Sequence, residues 1–335
     1  MKQVNIHGPG VVSIDEVPEP EPGPRDAVVK VSACGICGSD VGYIAAGGLM
    51  GPSDQPMPIG HEFSGTVEAV GSEVRGIEVG VRVVVNPISD ENSIGNGAPQ
   101  GAFAPRVLVP NAAAGHSLHP ISADLPMDVA ALAEPLSVGL QGVDQTKPQA
   151  GERAVVFGAG PIGLAAVAGL RFRGVEDIVS VDLSARRLEI ARKLGARATL
   201  NPADGDVNEA LRELHGSVLL YGAPMVGSDI LIEASGAGPV IEQVLGNAKP
   251  DARFSIVALH RNPVPVNFML VMMKQLQIVG SMGYPEDWSD ALRILETADL
   301  SPMVTHRFAL DAFHEALDVA RQPALGAKVM IVNED

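Results

Sequence analysis

Ala154-Val155-Val156-Phe157-Gly158-Ala159-Gly160-Pro161-Ile162-Gly163 is the stretch on which the fold turns. Four apolar residues of strand character run straight into a G-x-G-x-x-G, and the apolar run from Pro161 to Phe172 then reads as a helix. In such a turn the first glycine permits the tight reversal, the second lets backbone approach a pyrophosphate, and the third lets helix and strand pack closely. The motif alone is weak evidence. Its context strengthens it, because the next strand, Ile178 to Asp182, ends in a carboxylate nineteen residues beyond Gly163, where a ribose hydroxyl is received. A carboxylate there repels a 2′-phosphate, so Asp182 favours NAD over NADP. Gly158, Gly160, Pro161, Ile162, Gly163 and Asp182 are the candidate cofactor residues. Arg187 either stacks over the adenine or is an ordinary exposed helix charge. The bland alternative, a glycine-rich turn with no ligand, leaves Asp182 unexplained.

Working outward, an amphipathic helix from Ala185 to Leu194 completes a βαβ unit. Strands at Asp229–Ala234, Arg253–Leu259 and Leu276–Ser281 and a helix at Pro239–Ala248 continue the alternation of a parallel sheet. Residues 201–228 resist assignment. Upstream, Ala27 to Cys34 and Phe63 to Val85 are Val-rich with Gly and charged punctuation, the pattern of short strands. Downstream, helices near Trp288–Thr297 and Asp311–Arg321 and strands at Thr305–Phe308 and Lys328–Val332 close the chain. The expected class is α/β, a mostly β part followed by a parallel-sheet part.

A chain of 335 residues is long enough for two domains, and 46% hydrophobic with 19% charged residues is a globular balance. Acidic residues outnumber basic ones 40 to 24, so the field repels phosphate backbones and anionic lipid, and nucleic-acid and membrane partners are not expected. The uncharged run Ala154–Leu170 falls short of the ~18 residues that a span requires. The N-terminus has no apolar secretory region, which places the protein in the cytoplasm by default. The two cysteines, Cys34 and Cys37, are too close for a routine disulfide and are expected as reduced thiols.

Cys34-Gly35-Ile36-Cys37-Gly38-Ser39-Asp40, Gly60-His61-Glu62 and Glu134-Pro135 together offer thiolate, imidazole and carboxylate, the donor set that suits Zn²⁺. Three protein ligands with one open position describe a catalytic zinc. Taken singly, a cysteine is more often core packing and a lone histidine a satisfied polar group. Their coincidence carries the argument. Asp40 is either a carboxylate orienting His61 or a simple turn residue.

These segments, with Phe63-Ser64-Gly65 and Leu136-Ser137-Val138, resemble the zinc-containing medium-chain dehydrogenases over nearly the whole chain. The likeness is nearest to the branch of sorbitol, 2,3-butanediol and threonine dehydrogenases. The resemblance implies a GroES-like β domain from residues 1–139 and 285–335 and an inserted Rossmann NAD-binding domain at 140–284. It implies zinc on Cys37, His61 and Glu62 or Glu134, with the other carboxylate near the bound water and Ser39 carrying the proton. It places Leu259, Ser281, Met282 and Gly283 near the nicotinamide, Lys328 near the pyrophosphate, and Tyr43, Phe103 and Tyr284 at the substrate. It also implies a homodimer or homotetramer.

Three departures stand out. Asn86 to Gln100, in place of the family's Cys-rich lobe, has no cysteine, so one zinc per chain is expected. Gly42 stands where many relatives have a relay histidine, and Gly283 where the sorbitol enzymes have a substrate-binding arginine. No Lys or Arg occurs from Val41 to Ile59, so the expected substrate is a small neutral secondary alcohol, diol or polyol interconverted with its ketone. The alternatives are a threonine 3-dehydrogenase-like enzyme, a zinc-free NADPH quinone or enoyl reductase, and a non-catalytic NAD-binding sensor using Cys34 and Cys37 as a thiol switch.

Overall fold

The computed structural model describes residues 1–89 and 92–333, so Asp90 and Glu91 of the cysteine-free stretch lie outside the described residues. The chain divides into two compact units, Met1–Glu134 with Glu286–Asp335, and Pro135–Pro285.

The first unit is built of β1 (Lys2–Gly8), β2 (Val11–Glu16), β3 (Ala27–Gly35), β4 (Met57–Pro58), β5 (Glu62–Val70), β6 (Arg82–Val85), β7 (Arg106–Val109) and β8 (Leu118–Pro120). The second carries β9 (Arg153–Phe157), β10 (Asp177–Val181), β11 (Ala198–Leu200), the pair β12 (Ser217–Leu220) and β13 (Ala223–Val226), β14 (Ile230–Glu233), β15 (Arg253–Ile256) and β16 (Gln277–Gly280). The chain then returns to the first unit for β17 (Val304–Ala309) and β18 (Lys328–Val332).

In the first unit the main sheet runs β17-β18-β3-β5-β6-β8, with β7 also on β3. Register does the positioning. Antiparallel β3 and β5 pair Gly35 with Glu62 and Cys34 with Phe63, so the chain leaves β3 toward Cys37 at the end where it enters β5 from His61. Antiparallel β18 pairs Met330 with Gly35, which brings Lys328 to that end too. Ile6, Val29, Val31, Ile59, Phe63, Val83 and Phe313 fill the core beneath, each such side chain contributing roughly 1.5–3 kcal/mol by burial.

Helix α1 (Gly38–Ala46) follows Cys37, whose N–H donates to the Asp40 carboxylate at 2.8 Å, and it stops at Gly47 in the left-handed region. The sequence reading had no helix here, because nine residues containing two glycines show little periodicity. Short α2 (Met127–Ala130) lies in the first unit, and α3 (Ala133–Asp144) starts at its end and runs into the second.

The second unit is a six-stranded parallel sheet, β11-β10-β9-β14-β15-β16, the doubly wound order with its reversal between β9 and β14. Helices α4 (Pro161–Phe172), α5 (Ala185–Lys193), α6 (Val207–His215), α7 (Gly238–Asn247) and α8 (Phe268–Lys274) alternate with the strands. The stretch that resisted assignment holds α6, capped by the Asp206 carboxylate, and the β12–β13 hairpin. The hairpin's Val218 and Leu219 are exposed, so no buried face imposes a period. Helices α9 (Ser289–Thr297) and α10 (Phe313–Ala320) belong to the first unit.

Candidate active site

Ligand atoms of Cys37, His61 and Glu62 lie within 4.8 Å of one another. Cys37 caps α1 and the other two residues open β5, so the register described above brings together side chains 24 residues apart in sequence. His61 is buried, and its Nδ1 faces Asp40 Oδ1 at 3.4 Å. Neither atom makes a closer hydrogen bond. The carboxylate thus backs the ring while Nε2 points toward the Ser39 hydroxyl at 3.4 Å. Burial works against charge on His61, but Asp40 outweighs it and raises the imidazole well above its ordinary value. Asp40 is therefore an orienting carboxylate, tied also to the α1 N-terminus.

Glu62 is fully buried, and both its oxygens accept from Lys328 Nζ, at 2.7 and 2.5 Å. A third Lys328 bond goes to the Ile36 carbonyl at 3.2 Å. Burial disfavours the ammonium, yet the Glu62 carboxylate more than compensates and raises its pKa. Gly35 makes the pairing possible, since a Cβ there would stand 2.2 Å from Glu62 Oε2. This corrects the expectation for Lys328: its donors are spent inside the first unit on Glu62 and Ile36, not offered to a pyrophosphate. A lone lysine opening the apolar strand Lys328-Val329-Met330-Ile331 was the signal that a buried partner awaited it.

Glu134 enters the same neighbourhood from the first turn of α3. Burial, only partly offset by His61, pushes its carboxyl up to about 7. It feels Glu62, Lys328 and Asp40 as well, but it lies outside the tight trio. A half-buried thiol, an imidazole backed by a carboxylate, and one buried and one half-buried carboxyl group form a donor set that fits a zinc ion. Cys34, by contrast, is sealed in the core and its thiol is pushed well up by burial. It is packing.

Of the residues expected at the substrate, Tyr43 is half-buried on α1 and donates to Asn96 Oδ1 at 3.1 Å. Phe103 requires correction: it is fully buried, its ring 5.0 Å from that of Phe313 and packed against Gly60, and so it serves the core. Tyr284 belongs to the second unit.

In that second unit the glycines show their reasons. Gly158 sits at φ +94°, and a Cβ there would meet Ala234 and Ser235 backbone at 2.7 Å. A Cβ on Gly163 would lie 1.8 Å from the Gly158 carbonyl oxygen. Above Gly160 the nearest atom is Arg187 Nη1 at 3.7 Å, so the middle glycine faces open space of the kind a pyrophosphate needs. Pro161 and Ile162 open α4. Asp182 accepts from Ala159 N and Ser184 N, both at 2.7 Å, fastening the loop to β10. Burial lowers the Arg187 pKa, with Asp182 opposing, so Arg187 folds over the loop rather than standing in solvent. Leu259 and Met282 are exposed, and Leu259 lines a cavity of about 570 Å³ with Gly236, Gly238 and His260 at the ends of β14 and β15. The sequence reading missed the buried Glu233 carboxylate there, which takes His260 Nε2 at 2.9 Å.

Comparison with known proteins agrees. Residues 23–120 match the alcohol dehydrogenase GroES-like domain and residues 161–297 the zinc-binding dehydrogenase family. The chain is 33% identical to the (R,R)-butanediol dehydrogenase of Neisseria gonorrhoeae, covering 93% of each. It is 31% identical to the sorbitol dehydrogenase of Pongo abelii over 97% of this chain and 94% of that one. A solved structure described as a zinc-binding dehydrogenase of Sinorhizobium meliloti, bound to NADP, is 30% identical, with TM-score 0.87 over 99% of both chains. With a GroES-like β domain, a parallel-sheet dinucleotide unit and a zinc-fitting donor set in one polypeptide, the chain belongs to the zinc-containing medium-chain dehydrogenase family, the alcohol and polyol dehydrogenases.

Proposed function

We propose that this enzyme interconverts a small neutral secondary alcohol or vicinal diol with its ketone, using NAD and one zinc ion held by Cys37, His61 and Glu62. The observation that carries the reading is the convergence of those three donors within 4.8 Å, in a chain whose other unit bears the dinucleotide loop. The first unit acts as the catalytic domain and the second as the coenzyme domain.

When bound, zinc supplies the Lewis acidity that lets an alcohol give up its proton near neutrality, and nicotinamide supplies the hydride acceptor. The chain's own residues do the rest. Ser39 receives the hydroxyl proton at Oγ and, with Gly42 offering no imidazole, passes it to coenzyme ribose or water. Asp40 fixes His61 through Nδ1, and Lys328 fixes Glu62, leaving Glu134 as the carboxyl that stands off. The Asp182 oxygens keep lone pairs for ribose hydroxyls beside their two backbone bonds, which supports NAD over NADP.

The butanediol and sorbitol specificities of the relatives support a neutral diol or polyol, and so does the lack of Lys and Arg between Val41 and Ile59. A homo-oligomer is supported by the free edge of β16 beside exposed Phe268, Met269, Met272 and Ile278. Among the described residues no helix is long and apolar enough to cross a membrane, and two free thiols fit the cytoplasm.

The test is turnover on secondary alcohols, diols, polyols, sugar phosphates and threonine, with NAD⁺ and NADP⁺, before and after chelation. NAD-linked oxidation of the neutral alcohols, abolished by chelator and restored by zinc, is expected. Turnover of sugar phosphates or threonine alone, or with NADP⁺ alone, overturns the reading.

A further inference from the structure

Among the described residues of the cysteine-free segment, Asn96 carries a side chain toward the site. Asn96 bridges to Ile59, just before His61, and its Nδ2 donates to the Ile94 carbonyl at 3.2 Å. A carbonyl oxygen can only accept, so the amide nitrogen must face it and the amide's orientation is fixed. Its Oδ1 then takes the Tyr43 hydroxyl proton at 3.1 Å. A phenol has one proton, so toward every other neighbour Tyr43 presents lone pairs alone.

Burial raises the Tyr43 pKa, and the Ser39 hydroxyl, one helical turn earlier on α1, is among the groups that oppose it. Ser39 Oγ also stands 3.4 Å from His61 Nε2. Because the phenol's proton is committed to Asn96, a Ser39–Tyr43 bond can run one way only, with Ser39 donating. The serine's own lone pairs are then left to accept from an incoming hydroxyl. We propose that Asn96 is a positioning residue that sets the direction of a Ser39-to-Tyr43-to-Asn96 chain of donors and thereby holds Ser39 as the acceptor of the alcohol's proton. This rests on the dehydrogenase reading above. An amide oxygen is not basic near neutrality, so the chain orients and does not conduct: as Ser39 accepts the alcohol's proton it turns its own hydroxyl hydrogen from Tyr43 to ribose or water and releases it there, one proton arriving as one leaves.

The experiment is a double-mutant cycle in the zinc-loaded enzyme with Asn96→Leu, Tyr43→Phe and the pair, alongside Asn96→Asp, which keeps an acceptor for the phenol. Each single change is expected to lower kcat about 5- to 10-fold, the worth of one lost hydrogen bond, with KM for the alcohol, coenzyme affinity and zinc content within about twofold. The pair is expected to be no worse than the poorer single variant, since Asn96 acts through Tyr43, and Asn96→Asp to stay within about threefold of wild type. Should Asn96→Leu lose its fold, Asn96→Ser, too short to reach Tyr43, replaces it in the cycle. Losses that multiply in the pair, or an Asn96→Asp enzyme as impaired as Asn96→Leu, overturn the inference alone. A wild-type enzyme inert toward every neutral alcohol overturns the functional reading beneath it.

Discussion

At the joined ends of β3 and β5, His61, Glu62 and Lys328 are withdrawn from water, with half-buried Glu134 in the same neighbourhood. The loop from β9 into α4 has no ionisable side chain of its own between Phe157 and Ile162, and it works through bare backbone and the space above Gly160. The first region is made of charges that must answer one another, the second of volumes kept empty. A neutralising substitution should therefore injure the first, and an added methyl the second. Asp40 raises the basicity of His61 against burial, whereas burial lowers that of His215 in the second unit and of His119 in the first.

The largest expected effect comes from removing the cation. Lys328→Met strands a buried carboxylate and should cost about 3–5 kcal/mol in urea unfolding of the metal-free protein. Adding Glu62→Gln should recover much of that loss. A Lys328→Met protein as stable as wild type would show that Glu62 finds solvent or another partner, and the contrast between the regions would fail.

Next comes the added methyl. Gly163→Ala sets a Cβ 1.8 Å from the Gly158 oxygen and should cost about 1–3 kcal/mol through overpacking. Gly160→Ala, with its nearest atom 3.7 Å away, should leave stability within about 0.5 kcal/mol while NAD binding weakens by more than about tenfold, measured by fluorescence titration. If Gly160→Ala binds NAD like wild type, the open space is not where the pyrophosphate goes.

The smallest effect is a slope with pH. His215 donates or accepts at Ser228 through Nδ1, 2.8 Å away, and burial depresses its pKa below the ordinary 6.5, with Asp177 opposing. A depressed imidazole means that the unfolded chain binds more protons. Its contribution is full above about 6.5 and is lost as pH falls toward the folded value, by at most about 1.4 kcal/mol per pH unit. Urea midpoints between pH 7 and pH 5 should fall less steeply in His215→Asn than in wild type, and equal slopes would remove His215 from the account.

Much of this was legible in sequence for reasons that differ between the units. In the βαβ core Pro161–Phe172 appears at the bounds expected from its apolar run, and in the first unit Lys328–Val332 does the same. The candidate metal donors Cys37, His61 and Glu62, which the structure brings within 4.8 Å of one another, were readable as a set because thiolate, imidazole and carboxylate in one pattern have few other uses. What stayed hidden depends on partners remote in sequence. Lys328 meets Glu62 across 266 positions, Asn96 meets Tyr43 across 53, and Phe103 is claimed by Phe313. No local period carries such information. Helix α1 was hidden for a different cause, its definition resting on the Asp40 cap and the Gly47 stop more than on an apolar stripe.

The segment replacing the cysteine-rich lobe is closed by its own main chain, with Ile94 N on Pro87 O at 2.9 Å, Gly95 N on Gln100 O at 2.7 Å and Asn96 N on Ser93 O at 2.8 Å. It has no cysteine with which to hold an ion. On the proposed reading of one zinc per chain, stripping it should yield a folded apoprotein that can be recharged with cobalt or cadmium, opening the reactive centre to spectroscopy.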